Sequence, residues 1–327
     1  MLLTLTITII STPVPSFAIG DPKLDKLVGT FRGSYYANQG HTGLTLKVEK
    51  TDDGEYIAEF FFYSVPDNPS VPSGRYKCEV TYSPDTGNYY VRGVEWIERP
   101  SGYVFVDLEG PLKEGIFEGI VDSHLGSKYT FHLVKQEGEN APSNWAEVTV
   151  DDAVLEGYVP LELQNNYKKS ITRAEFARLV VAAISLKTDQ NIEEVIESKG
   201  YSYEENPFDD TSDRYVLAAS TLNIVKGYGN RKFGPDDLIT REQSAVMLTR
   251  LAEVFNVDTS ENRSIQFKDR SSFSDWAVSS IDFVTHRTDK KTNTPVMMGS
   301  DNLFNPKGNY TKEQAILTIY RLMNSLD

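Results

Sequence analysis

Three basic residues recur at one position of a repeated motif. The stretch "ITRAEFARLV" begins at Ile171, "ITREQSAVML" at Ile239 and "YTKEQAILTI" at Tyr310. In each, a Thr is followed by a cation (Arg173, Arg241 or Lys312) and then, at the third position, by Glu175, Gln243 or Gln314. Thr with Glu or Gln three residues on is a capping box that opens a helix. A cation in the first turn faces the positive end of the helix dipole, at a cost of about 0.3–1 kcal/mol. A bound anion would reverse that sign, because free helix amides and a guanidinium can act together on one carboxylate. The alternative is an internal ion pair with a carboxylate such as Asp210 or Asp269. Lys312 offers a point charge where arginine would fork two oxygens, so the third site is the weaker one.

The loop ahead of the second copy, "GYGNRKFGPDDLITRE", adds residues suited to a sugar. Gly227 and Gly229 allow positive φ and close backbone approach. Tyr228 between them can stack on a pyranose face, as can Trp145 and Trp276, although core packing is the more ordinary role for the two tryptophans.

Other chemistries find little support. His41, His124, His132 and His286 show no metal-ligand spacing. "DDTSD" from Asp209 lacks the glycine and terminal glutamate of a calcium loop. No nucleophile elbow, phosphate loop or dinucleotide fingerprint occurs, so no catalytic residue, metal or cofactor is assigned and the chain is not expected to be an enzyme. Cys78 alternates with Tyr76, Val80 and Tyr82 and reads as a buried structural thiol. A net charge of -14 argues against nucleic acid.

These residues must be positioned by two regions of different grammar. Residues 1–18 are apolar or hydroxyl-bearing and end in small residues, as an export leader cleaved after Ala18 would. The apolar run is too short to span a bilayer. Over 21–136 the period is two: "TGLTLKV", "RYKCEVTY", "NYYVRGVEWI", "YVFVDLEG", "GIFEGIV" and "KYTFHLV" read as strands of an antiparallel β-barrel or sandwich. Its many aromatics mostly fill the core, while Trp96 and Tyr103 are candidates for a ligand surface; the ligand itself is not legible. Residues 137–143 form a linker, and beyond them helical periods dominate. Three units follow over 144–186, 207–256 and 267–327, with a helical insertion at 187–206.

Each unit has a short helix near an aromatic (Trp145, Tyr215 or Trp276), a loop, and the Thr-led helix; Phe208-x-Asp210 and Phe267-x-Asp269 open the second and third. In these motifs the C-terminal half resembles S-layer homology repeats. The resemblance implies an all-α pseudo-threefold bundle whose grooves bind a cell-wall polysaccharide, often through its pyruvate ketal. It would make the chain a secreted protein held noncovalently on the cell wall and displaying the β domain. The site residues so implied are Arg173, Arg241, Lys312, Gly227, Tyr228, Gly229, Asp210, Asp269, Trp145 and Trp276. The first unit departs from the pattern, with "EGYVPLELQNNY" in place of the glycine loop, and the third has the Lys312 exchange. Those departures leave a second reading: a soluble secreted interaction protein in which the repeats are only a scaffold and the β domain does the binding.

Overall fold

A computed structural model describes residues 21–65, 68–123, 128–202, 206–260 and 265–326; the expected leader lies outside them. Strands β1 (Gly29–Ala37), β2 (Gly40–Lys50), β3 (Tyr56–Tyr63), β4 (Gly74–Tyr82), β5 (Tyr89–Glu98) and β6 (Asp107–Gly110) run as an antiparallel meander. β7 (Leu112–Lys113) leads into β8 (Ile116–Asp122), and β9 (Lys128–Lys135) returns to pair with β1. β6 also pairs with β8, which closes an eight-stranded barrel and leaves β7 as a short extension on β8. Closure pairs both outer strands, although β5 beyond Val91 has no ladder partner on its β6 side.

The run Phe60, Phe61, Phe62, Tyr63 shows how the barrel is seated. Phe60 and Phe62 point into the barrel core with Phe31, Tyr76 and Phe131. Phe61 and Tyr63 take the other face, as strand alternation requires, yet they are 7% and 3% exposed because they join the core of the helical part. Both faces of β3 are therefore apolar over its second half, which lacks the period-two signature. Residues 103–106, expected to be strand, form instead the irregular loop ahead of β6. Cys78 is buried, and burial pushes its thiol well above the ordinary value.

The helical part contains α1 (Glu147–Leu155), α2 (Arg173–Thr188), α3 (Ile192–Ser198), α4 (Arg214–Thr221), α5 (Arg241–Val254), α6 (Val278–His286) and α7 (Lys312–Asn324). It is not the all-α pseudo-threefold bundle that the resemblance implied. Long irregular loops and 3-10 turns separate the helices, and extended segments bridge to one another at Ser170 and Thr311, Thr172 and Leu238, and Thr240 and Asn309. The cause is local. An N-cap residue must leave helical geometry, and Thr172, Thr240 and Thr311 are all extended, with ψ of 165°, 163° and 161°. Each long helix thus begins with an extended stub, and the stubs pair. The Ile171 amide donates to Tyr310 O at 2.8 Å, the Tyr310 amide to Ile239 O at 3.1 Å, and the Ile239 amide to Ile171 O at 3.3 Å. That ring of hydrogen bonds is closed, and all three of its side chains are fully buried.

The barrel docks on the first unit. Arg32 of β1, 4% exposed, donates to the Tyr167 hydroxyl at 2.9 Å and pairs with Asp151. The Tyr63 hydroxyl donates to Gln164 Oε1 at 3.0 Å. Arg32→Met would leave the fully buried Tyr167 hydroxyl without this partner, and unsatisfied buried groups cost about 1–3 kcal/mol. Urea unfolding followed by circular dichroism should show a loss of that order, with unchanged signal at zero denaturant.

Candidate functional site

The capping boxes form as read. The Glu175, Gln243 and Gln314 amides donate to the Thr172, Thr240 and Thr311 hydroxyls, and each N3 side chain accepts from its cap amide. The two amides before N3 are also occupied. Arg173 and Ala174 donate to Asp237 O and Pro235 O, Arg241 and Glu242 to Gly308 O and Pro306 O, and Lys312 and Glu313 to Lys169 O and Tyr167 O, all at 2.9–3.0 Å. The helix ends are therefore not free anion sites, which corrects that part of the sequence argument.

The cations do something the sequence did not reveal. Arg173 Nε donates to Phe233 O at 2.9 Å and its Nη2 to Lys226 O at 2.7 Å; its guanidinium lies between the rings of Tyr228 and Phe233 at 4.5 and 4.6 Å. Arg241 repeats the grip one unit on, with Nε to Phe304 O and Nη2 to Met298 O, both at 2.8 Å. Each arginine holds the loop of the following unit through backbone carbonyls, so neither the bound anion nor the ion pair with Asp210 or Asp269 is needed to explain its position. Burial lowers the pKa of both guanidiniums. Asp210 and Asp269 brace the same loops from within their own units. Asp210 accepts from the Phe233 and Gly234 amides, and Asp269 from Phe304 at 3.0 Å and Asn305 at 2.7 Å. Lys312 departs from the pattern: its Nζ sits 3.3 Å from Glu175. The first loop has Asn165 where the others have Phe233 and Phe304, and Tyr167 where they have proline.

The glycines divide. Gly229 has φ of 94°, as expected, but Gly227 does not take positive φ. A Cβ on Gly227 would lie 2.5 Å from Lys232 O and 2.8 Å from the Phe208 ring, and one on Gly299 would meet Leu303 O and Phe267 at 2.5 Å. These two are glycine for close packing beneath the entry phenylalanine. Two buried glutamates escaped the sequence reading. Glu313 accepts from the amide and hydroxyl of Ser143, and Glu242 from those of Ser274, so each ties the entry of the next unit. Ala174 takes that position in the first copy.

One open groove gathers several expected residues. It has a volume of about 1010 Å3, and Arg241, Asp269 and Trp145 line it together with Leu303, Lys307 and Arg321. Trp145 belongs to the first unit yet forms a wall of the third, and it is 61% exposed. Trp276 at 56% and Tyr228 at 58% are likewise outside the core, so none of these rings is core filling. Arg173, at 3% exposure, is not brought into that groove. Lys307 and Arg321 were missed. The signal for Arg321 was its spacing: Gln314, Leu317, Thr318 and Arg321 follow i, i+3, i+4, i+7 along α7 and all line the groove. No helix among the described residues is long and apolar enough to cross a membrane.

Residues 207–245 match the family model of the S-layer homology domain. Curated relatives include an amylopullulanase of Thermoanaerobacterium thermosulfurigenes, 28% identical over 203 residues, which are 60% of this chain and 10% of the relative. An exoglucanase XynX of Acetivibrio thermocellus is 27% identical over 236 residues, 70% of this chain and 19% of the relative. An endoglucanase of Bacillus sp. (strain KSM-635) is 29% identical over 156 residues, 47% of this chain and 15% of the relative. The chain thus spans at most 19% of the length of these three relatives.

Two measurements check the assignment of the arginines and aspartates. Arg173→Ala should lower stability more than Arg241→Ala in thermal melts, since Arg173 is nearly inaccessible and Arg241 borders solvent. The Phe233 and Gly234 amides hold the Asp210 carboxyl below its usual value. A depressed folded-state pKa adds stability that is complete above the unfolded value, about 3.9, and is lost as pH falls through the folded one. Asp210→Asn should therefore flatten the dependence of melting temperature on pH below about 4, leaving a smaller gap from the parent at the acid end.

The match places an S-layer homology domain over residues 207–245, within the second unit, and indicates a cell-surface or secreted protein.

Proposed function

We propose that the chain anchors itself to the cell wall by binding the wall's secondary polysaccharide in the groove beside Arg241, with the barrel displayed outward. The single observation that carries this reading is the composition of that groove: an exposed indole, Trp145, faces a cleft lined by Arg241, Lys307 and Arg321. A sugar ring presents an apolar C–H face that an indole covers. A carboxylate on the sugar, such as a pyruvate ketal, suits guanidinium donors. Lys307 is shared with Glu242, and Arg241 already donates Nε and Nη2 to loop carbonyls, which leaves Arg321 as the better anion partner. Asp269 lines the groove but is committed to loop amides, where it keeps the wall in shape.

The first loop is unsuited to the same task. Tyr167 and Gln164, which stand in it, are turned to the barrel residues Arg32 and Tyr63. Glu175, at the start of α2, is drawn onto Lys312. The loop held by Arg173 is the second candidate, through Tyr228. The proposal assigns no catalytic step to the chain.

Co-sedimentation of the full chain with purified walls tests it. Trp145→Ala and Arg321→Ala should each weaken binding about tenfold, the effect of roughly 1.4 kcal/mol, without moving the melting temperature. Walls stripped of the secondary polymer by acid should not retain the parent protein. Equal retention on stripped walls would refute the reading.

A further inference from the structure

Among the described residues, one end of the barrel is closed and the other is not capped. At the closed end, the 3-10 turn Leu24–Leu27 caps the bore: Leu27 is fully buried, the Tyr56 hydroxyl donates to Asp25 Oδ1 at 2.7 Å, and the Tyr89 hydroxyl donates to Lys23 O at 2.9 Å. At the other end, where β1, β3, β5 and β8 finish, a cavity of about 270 Å3 opens to solvent. We propose that this mouth binds one neutral sugar ring, a site separate from the groove beside Arg241.

Three observations select that ligand. First, size: 270 Å3 lies just under the roughly 300–1,000 Å3 typical of pockets for drug-sized molecules, so the mouth holds one ring and not a chain. Second, charge: among the described residues that line it, none is ionic, and an ion would lose its hydration without a counter-charge. Third, the mixture of walls: the half-buried Tyr103 supplies a ring beside the nearly inaccessible Tyr35, Phe62 and Tyr76, while the Asn38 and Gln39 amides stand at the rim. Phe62 and Tyr103 are stacked at 5.4 Å with 14° between their planes, and Gln39 Nε2 donates to the Tyr35 hydroxyl at 2.9 Å, so both wall and rim are preset. A wholly apolar guest would cover the rim amides without pairing them. A pyranose offers a C–H face to Tyr103 and hydroxyls to the amides.

The test uses the full chain and saturation-transfer NMR with three probes: glucose, N-acetylglucosamine and indole. At least one of the two sugars should bind and indole should not. Val104, 46% exposed on the lip, can be enlarged without disturbing the core, so Val104→Trp should block the mouth and weaken sugar binding about tenfold or more. Gln39→Ala should weaken it in the same direction, with some fall in melting temperature because the buried Tyr35 hydroxyl loses this partner. Trp145→Ala should have no effect on this signal. Binding of indole in preference to both sugars, binding that survives Val104→Trp, or binding lost only in Trp145→Ala would each overturn the proposal, as would no binding by either sugar. The wall-binding assay reads the other site, so failure here leaves that result standing.

Discussion

Three backbone hydrogen bonds organise the helical part. Ile171, Tyr310 and Ile239 each donate to the next in a closed ring, and each immediately precedes a capping threonine. A cap forces its residue out of helical geometry, which makes the preceding stub extended and leaves its amide and carbonyl in need of partners. In the buried interior those partners have to be protein groups. The stubs of the other units supply them, so the same feature that starts each helix joins it to the other two. Breaking one link would bury an amide and a carbonyl without partners.

From that ring outward, two polar ties between units run in one direction. The arginine of one unit holds the loop of the next, and the glutamate beside it holds the serine at the next unit's entry. A cation at the first helical position is thus compatible with the dipole because its charge is placed on carbonyl oxygens and aromatic faces beyond the helix end. Where the first copy has Ala174, the tie to the second unit's entry is absent. Arg178 meets Asp213 there instead, at 2.7 Å. Where the third copy has Lys312, the short ammonium finds Glu175 and not a loop carbonyl. The first loop, released from that grip, presents Tyr167 and Gln164 to the barrel. The departures from the repeat pattern coincide with the barrel's docking surface.

The barrel was legible where its strands have one wet face. β4 alternates Tyr76, Cys78 and Val80 inward, and that alternation is in the sequence. β1 and β3 were harder. Arg32 of β1 and Phe61 and Tyr63 of β3 lie on the outer face but are covered by the helical part, so neither strand shows clean period two. The stretch 103–106 alternates well yet is loop: Tyr103 stacks on Phe62 and Phe105 on Trp96 without ladder partners.

By itself the sequence determined the local decisions: where each long helix starts, since a threonine with a glutamate or glutamine three residues on satisfies its amides at short range; which segments recur; and that Cys78 faces inward. Tertiary structure decided everything that depended on a partner distant in the chain. Whether Arg173 faced a ligand, a carboxylate or a carbonyl was set by the second unit's loop, some sixty residues away at Phe233. Whether Trp145 filled a core or walled a groove was set by the third unit. Short-range hydrogen bonding is written in neighbouring residue types, whereas the environment of a long side chain depends on which remote surface the fold brings against it.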